Sequence, residues 1–188
     1  MSFLIRVAKT AVAFAAGLFG GDIFGEQIAA GTDHVVALQL NGTVSTWGRN
    51  QSGQLGNNSF VASRVPVDVD GLGDVISVSA GALHSLALLS DGTVVAWGEN
   101  GSGQLGNNST TDSQVPVTVS GLTDVMAIAA GDSFSLALKY DGTVWAWGGN
   151  YSGQLGDSTT INRLTAVQVS GLEDVVDLSA GGRHALAV

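Results

Sequence analysis

The chain repeats itself every 50 residues, and that period constrains the fold more than any other feature. Gly31, Gly81, Gly131 and Gly181 keep the step, and so do Trp47, Trp97 and Trp147. The segments Gly53-Gln54-Leu55-Gly56, Gly103-Gln104-Leu105-Gly106 and Gly153-Gln154-Leu155-Gly156 follow the same spacing. Laying residues 31–80 on residues 81–130 gives 28 identities in 50 positions. A period of this length belongs to solenoids, propellers and arrays, in which one supersecondary unit is stacked on copies of itself.

Within one period the pattern reads as four short strands. Val75-Ile76-Ser77-Val78-Ser79 is the first and the alternating His84-Ser85-Leu86-Ala87-Leu88 the second. Ser90-Asp91-Gly92-Thr93 makes a hairpin turn, because Asp-Gly supplies the positive φ of tight hairpins. Thr93 to Trp97 is the third strand, and a polar, glycine-rich loop leads to the fourth, Val115 to Val119. Proline lacks the N–H that a ladder needs, so Pro66 and Pro116 place this fourth strand at a sheet edge. Four antiparallel strands per repeat, the last outermost, describe a propeller blade, and the fold class is all-β. Residues 31–80, 81–130 and 131–180 are three such units, with a fraction at residues 181–188 and a partial unit from Gln27 before them. The repeat region runs from residue 25 to residue 188.

The elements Ala80-Gly81-x-x-His84-x-Leu86-Ala87-Leu88, Asp91-Gly92-x-Val94-x-x-Trp97-Gly98, Asn100-x-x-Gly103-Gln104-Leu105-Gly106 and Pro116-Val117 occur in order. This series resembles the repeat of the regulator of chromosome condensation (RCC1) family, over roughly residues 24–188. The resemblance implies a seven-bladed propeller, of which three and a fraction are present. Such a partial array leaves two open edges. The N-terminal unit is expected to lack an outer strand before Gln27, and the C-terminal unit to stop inside its second strand. Open edges invite self-association; either the sequence is a fragment or separate chains complete a ring.

Residues 1–24 do not match the repeat. Arg6 and Lys9 precede an apolar run from Thr10 to Phe19, and Ala13-Phe14-Ala15 has the small-x-small form of a cleavage site. The segment reads as a secretory signal, which favours an extracellular or cell-surface location over the cytoplasm, or as an apolar segment packed on the propeller. The run is too short for a membrane span.

Composition excludes several functions. With a net charge of -9 and only two lysines, Lys9 and Lys139, the chain has no basic cluster for phosphate contacts, so no nucleic-acid partner is expected. It contains no cysteine, hence no thiolate nucleophile or Cys-based zinc site. His34, His84 and His184 share one repeat position, but Phe134 fills the fourth copy. A phenyl ring cannot replace a metal ligand, whereas it can replace a packed aromatic, so the position reads as structural and no metal is expected. Gly-Gln-Leu-Gly lacks the Lys and Ser/Thr of a phosphate loop, and its Gln is suited to satisfying loop backbone groups. The repeated tryptophans read as packing between blades, which should leave Trp47, Trp97 and Trp147 mostly buried. Asp74, Asp124 and Asp174 read as Asx-turn residues. No carboxylate pair or nucleophile elbow stands out, so no catalytic residue, cofactor or enzymatic activity is expected.

What repeats is what a blade needs, and what differs is what a partner can read. The repeats differ at Asp33 and Arg183, just before the second strand, and at Arg49, Glu99 and Tyr151, in the long loop. Trp145 also breaks the repeat, standing where Ser45 and Val95 stand elsewhere. These six are the candidate binding residues, since loops on a rigid scaffold are the usual place for them. The leading expectation is a non-enzymatic scaffold for a protein partner. Resemblance to the family's eukaryotic founder implies an alternative, nucleotide exchange on a small GTPase, although no inserted wedge is visible in the near-uniform spacers. A glycan-binding surface using Trp145 and Tyr151 is a further alternative.

Overall fold

The computed structural model describes residues 27–188, so the signal-like segment at residues 1–24 lies outside the described residues. Among the described residues fourteen strands follow one another: β1 Gln27–Ala30, β2 His34–Leu38, β3 Val44–Gly48, β4 Ser63–Asp68, β5 Val75–Ala80, β6 His84–Leu89, β7 Val94–Gly98, β8 Ser113–Thr118, β9 Val125–Ala130, β10 Phe134–Lys139, β11 Val144–Gly148, β12 Arg163–Gln168, β13 Leu178–Ala180 and β14 Ala185–Ala187. They form three four-stranded antiparallel sheets in sequence order, β1 to β4, β5 to β8 and β9 to β12, and a two-stranded sheet of β13 and β14.

Each sheet is a run of neighbours because each connection is a local turn. Between β2 and β3, the Gln39 N–H donates to Thr43 O and the Gly42 N–H to Gln39 O. Asn41 Oδ1 accepts the Thr43 N–H, as Asp91 and Asp141 accept from Thr93 and Thr143. Only the glycine of each turn has a positive φ, 78° at Gly42 and 82° at Gly92. The hairpin is therefore a turn closed by one left-handed glycine, and the preceding Asn or Asp serves as a side-chain acceptor rather than as a second positive-φ residue.

Asp74, Asp124 and Asp174, in the links between blades, correct another expectation. They have φ of 57°, 60° and 54°, so they serve as residues that tolerate the left-handed conformation and not through Asx turns.

The hydrophobic core lies between sheets. Val36, Leu38 and Val44 of the first blade pack with Val75, Val78, Ala87 and Trp97 of the second. Leu86, Leu88 and Val94 of the second pack with Ala137 and Trp147 of the third. The first strand of each blade lies beside that of the next, β1 on β5, β5 on β9 and β9 on β13. The fourth strands form the outer edge, and Pro66 and Pro116 sit there in β4 and β8. This is the stacking of blades in a propeller.

One further expectation needs correction. The first blade is complete: β1 is its innermost strand, so the segment from Gln27 opens a blade and does not lack an outer strand. The units drawn from Gly31 cut each blade at the hairpin between its first two strands. The repeated tryptophans are mostly buried, as expected, though not equally. Trp97 and Trp147 are wholly buried, whereas Trp47 is half-buried, because the described residues place no blade on its side.

Candidate functional site

Each blade has two ends. At one rim, the hairpin between the first two strands meets the long loop after the third. The Arg49 N–H donates to Asp33 O, Glu99 N–H to Leu83 O, and Gly149 N–H to Ser133 O. At the opposite rim, the hairpin between the second and third strands meets the inter-blade link, where the Tyr140 N–H donates to Asp124 O.

The long loop, residues 49–62 in the first blade, is held by one buried asparagine. Asn50 Nδ2 donates to Asn57 Oδ1, Ser59 O and Val61 O, while its Oδ1 accepts the Leu55 N–H. Asn100 and Asn150 repeat the arrangement, and all three are wholly buried. The loop glutamine does what its place in Gly-Gln-Leu-Gly suggests: Gln54 Oε1 accepts the Ser52 N–H, and Gln104 and Gln154 do the same for Ser102 and Ser152. A loop without regular structure keeps one shape because most of its buried polar groups are paired.

A second set of polar groups joins blade to blade. The Gln54 carbonyl accepts from Ser85 Oγ and from Trp97 Nε1, both on the next blade. Ser85 Oγ lies 3.0 Å from His34 Nε2. The hydroxyl proton is committed to the carbonyl, so Ser85 Oγ accepts from Nε2–H and leaves Nδ1 bare and buried. His84, Ser135, Gln104 and Trp147 repeat this set one blade on. Protonation would put a charge at Nδ1 with no acceptor, and burial lowers the pKa of His34 to about 4 and that of His84 to about 3. In the third blade Phe134 replaces the histidine, and Ala185 replaces the serine it would have faced. The two polar groups are lost together. That joint replacement, at the same spacing of 51 residues that separates His34 from Ser85, is the trace this bond leaves in the sequence.

Five of the six candidate residues lie at the first rim: Asp33, Arg49, Glu99, Tyr151 and Arg183. Arg49 Nη1 pairs with Asp33 Oδ2 at 3.3 Å, and both side chains are about half exposed; Arg49 also donates to Gln51 Oε1. Glu99 is half-buried and accepts from Gln104 Nε2. Burial, and then the nearby Asp112, raise its pKa, while the bond from Gln104 lowers it. Tyr151 is 78% exposed, and Arg183 is exposed. Trp145 is not with them. It sits at the other end of β11, half-buried, its indole N–H on Thr143 Oγ1 and Lys139 Nζ 5.6 Å from its ring centre.

Between the blades at the first rim is a shallow depression of about 270 Å³, lined by residues 30–32, 80–82, 130–132 and 180–182. Its walls are Gly, Ala and Thr except for Asp132. Among the described residues no three His, Asp or Glu side chains gather as metal ligands, and no helix is long and apolar enough to cross a membrane.

The family model for the regulator of chromosome condensation (RCC1) repeat matches residues 41–88, 91–138 and 141–188. The chain belongs to the RCC1 repeat family. A second RCC1 repeat model matches residues 26–54, 75–104 and 126–154. The RCC1 blades superpose on those of human WBSCR16 with a TM-score of 0.77 at 26% identity, covering 86% of this chain and 43% of that one. Yeast RCC1 (Prp20), solved with Kap60 bound, gives 0.77 at 25% identity, covering 89% and 42%. In sequence, 41 residues are 49% identical to the ultraviolet-B receptor UVR8 of Arabidopsis thaliana, 22% of this chain and 9% of the receptor. The chain thus spans less than half the length of the solved RCC1 propellers it matches.

Proposed function

We propose that these RCC1 blades form a non-enzymatic scaffold that binds a protein partner at the first rim. The observation that carries this reading is a segregation. Asn50, Gln54 and Leu55, repeated in the second blade as Asn100, Gln104 and Leu105, are buried in the loops, whereas five of the six candidate residues, Asp33, Arg49, Glu99, Tyr151 and Arg183, gather at one rim. A rigid frame with variable residues at one end is the arrangement of a binding surface. A protein partner fits a relative of this fold, yeast RCC1, which was solved with Kap60 bound.

The alternatives find less support. The long loops occupy residues 49–62, 99–112 and 149–162 between strands, equal in length and without the insertion that nucleotide exchange in the family's founder is expected to need. A glycan platform would need Trp145 and Tyr151 together, and they lie at opposite ends of β11.

Photo-crosslinking tests the scaffold reading. A benzophenone side chain at Gln51 or Tyr151, on the rim, should yield a discrete protein adduct in cells. The same group at Tyr140, on the opposite rim, should not. Equal adducts from both rims, or none from the first, would defeat it.

A further inference from the structure

The first blade lacks two acceptors that the second has. In the second, Gln104 Nε2 donates to Glu99 Oε2 at 3.1 Å, and the Asn100 N–H donates to Asp112 Oδ1 at 2.8 Å. The same positions in the first blade hold Arg49 and Ala62. Gln54 is wholly buried. Its Oε1 accepts the Ser52 N–H, which fixes the orientation of the amide, and its Nε2 is left without an acceptor. The N–H of Asn50, an equally buried residue, finds no acceptor among the described residues. The third blade avoids this state. Asn162 Oδ1 accepts the Asn150 N–H, and Gln154 is partly exposed, so water can reach it. Buried donors without acceptors are costly and uncommon.

Resting on the protein-binding reading above, we propose that the rim of the first blade is a carboxylate-binding notch for an Asp or Glu side chain of the partner. The carboxylate takes the place that Glu99 fills in the second blade. It accepts from Gln54 Nε2, lies beside the Asn50 N–H, and pairs with Arg49 in place of Asp33. Entry requires Arg49 and Gln51 to turn aside, and both are exposed. The Arg49–Asp33 pair is half exposed and contributes little, so giving it up costs the notch little, and the incoming carboxylate gains a charge-assisted bond from a buried donor that has no other acceptor. In the second blade Asp112 repels a carboxylate at Glu99; Ala62 removes that repulsion from the first. The net charge of -9 opposes an acidic partner at long range, but salt screens it beyond roughly 8 Å. Recognition therefore rests on contact and not on steering.

The test follows the Gln54 side-chain amide by NMR in the isotope-labelled 188-residue chain. Two capped peptides serve as probes, acetyl-Gly-Ser-Glu-Ser-Gly-amide and its Gln counterpart, with sodium acetate added at constant ionic strength as a free carboxylate. The Glu peptide should move the Gln54 signal saturably and bind at least about tenfold more tightly than the Gln peptide. Acetate alone should move the same signal more weakly. Arg49→Glu supplies an internal acceptor, so it should abolish the response and raise Tm. Glu99→Arg with Asp112→Ala should build the notch in the second blade, making Gln104 respond. A silent Gln54 with the Glu peptide, or an equal response in Arg49→Glu, would overturn the proposal. Rim crosslinking at full yield in Arg49→Glu would overturn the notch and leave the scaffold reading standing. A Gln54 response without rim adducts would do the reverse.

Discussion

The indole N–H of Trp97 donates to the carbonyl of Gln54 at 2.9 Å, and the same bond joins Trp147 to Gln104. It ties the third strand of one blade to the long loop of the blade before. The ring beneath it packs against Gly56, where a Cβ would meet the indole at 2.9 Å. One residue thus supplies both apolar burial and a directional bond at each of these two interfaces.

Trp97→Phe should keep most of the apolar contact and lose the bond, leaving a buried carbonyl with one partner fewer. A loss of about 1–2 kcal/mol is expected, read from urea denaturation. Trp47→Phe should cost less, because Trp47 is half-buried and makes no such bond among the described residues. Equal losses at both positions would argue against the interface role.

Stability should fall as pH drops from about 6.5 toward 4. The folded-state pKa of His34 is lowered to about 4 and that of His84 to about 3, against 6.5 when unfolded. Below 6.5 the unfolded chain therefore binds more protons than the folded chain. Each histidine withdraws about 1.4 kcal/mol per pH unit through that window. Replacing His84 by Phe and Ser135 by Ala copies the Phe134–Ala185 pair of the next interface. It should flatten the slope by about one proton in urea midpoints measured from pH 7 to pH 4.5.

Asn100→Asp should unfold the long loop of the second blade. Its Nδ2 donates to Ser109 O and Thr111 O, and a carboxylate would face those carbonyls instead. A cost of about 2–4 kcal/mol is expected. Asn107→Asp with Ser113→Arg should be tolerated, because the third blade already carries that pair as Asp157 and Arg163, bonded at 2.6 Å. Hydrogen exchange at the loop amides distinguishes the two variants.

The 188-residue polypeptide is expected to self-associate. Residues 185–187 of β14 are exposed, as are Val176, Leu186 and Val188, and among the described residues β14 pairs on one side only. Unpaired ladders beside apolar side chains recruit further strands. Leu186→Lys should reduce the mass seen by light scattering. A monodisperse 19.0 kDa particle without any substitution would contradict the expectation.

Much of the blade is readable in one dimension because its determinants are local. The hairpin at Asn41-Gly42 needs a left-handed glycine beside a side-chain acceptor, and Pro66 needs an edge. Both demands are met within a few residues, so the four strands and their order follow from the 50-residue pattern. The rim is partly legible for a similar reason: Asp33, Arg49, Glu99, Tyr151 and Arg183 are where copies of one unit disagree.

Partnership between blades is another matter. Nothing local to His34 points to Ser85, and nothing local to Arg49 shows that its replacement of an acid strands the Gln54 amide. Such bonds join residues tens of positions apart, and they exist only once stacking brings one blade's loop under the next blade's tryptophan. Trp145 and Tyr151 are separated within one blade. Six positions apart in the chain, they stand toward opposite rims because the remainder of β11, Ala146 to Gly148, runs between them. By itself, the sequence determined the repeat, the strands and the turns, through contacts closed within a few residues. The tertiary structure decided which polar groups are satisfied, which tryptophan is left half-covered and which variable side chains share a rim, since burial and distance are properties of stacked blades.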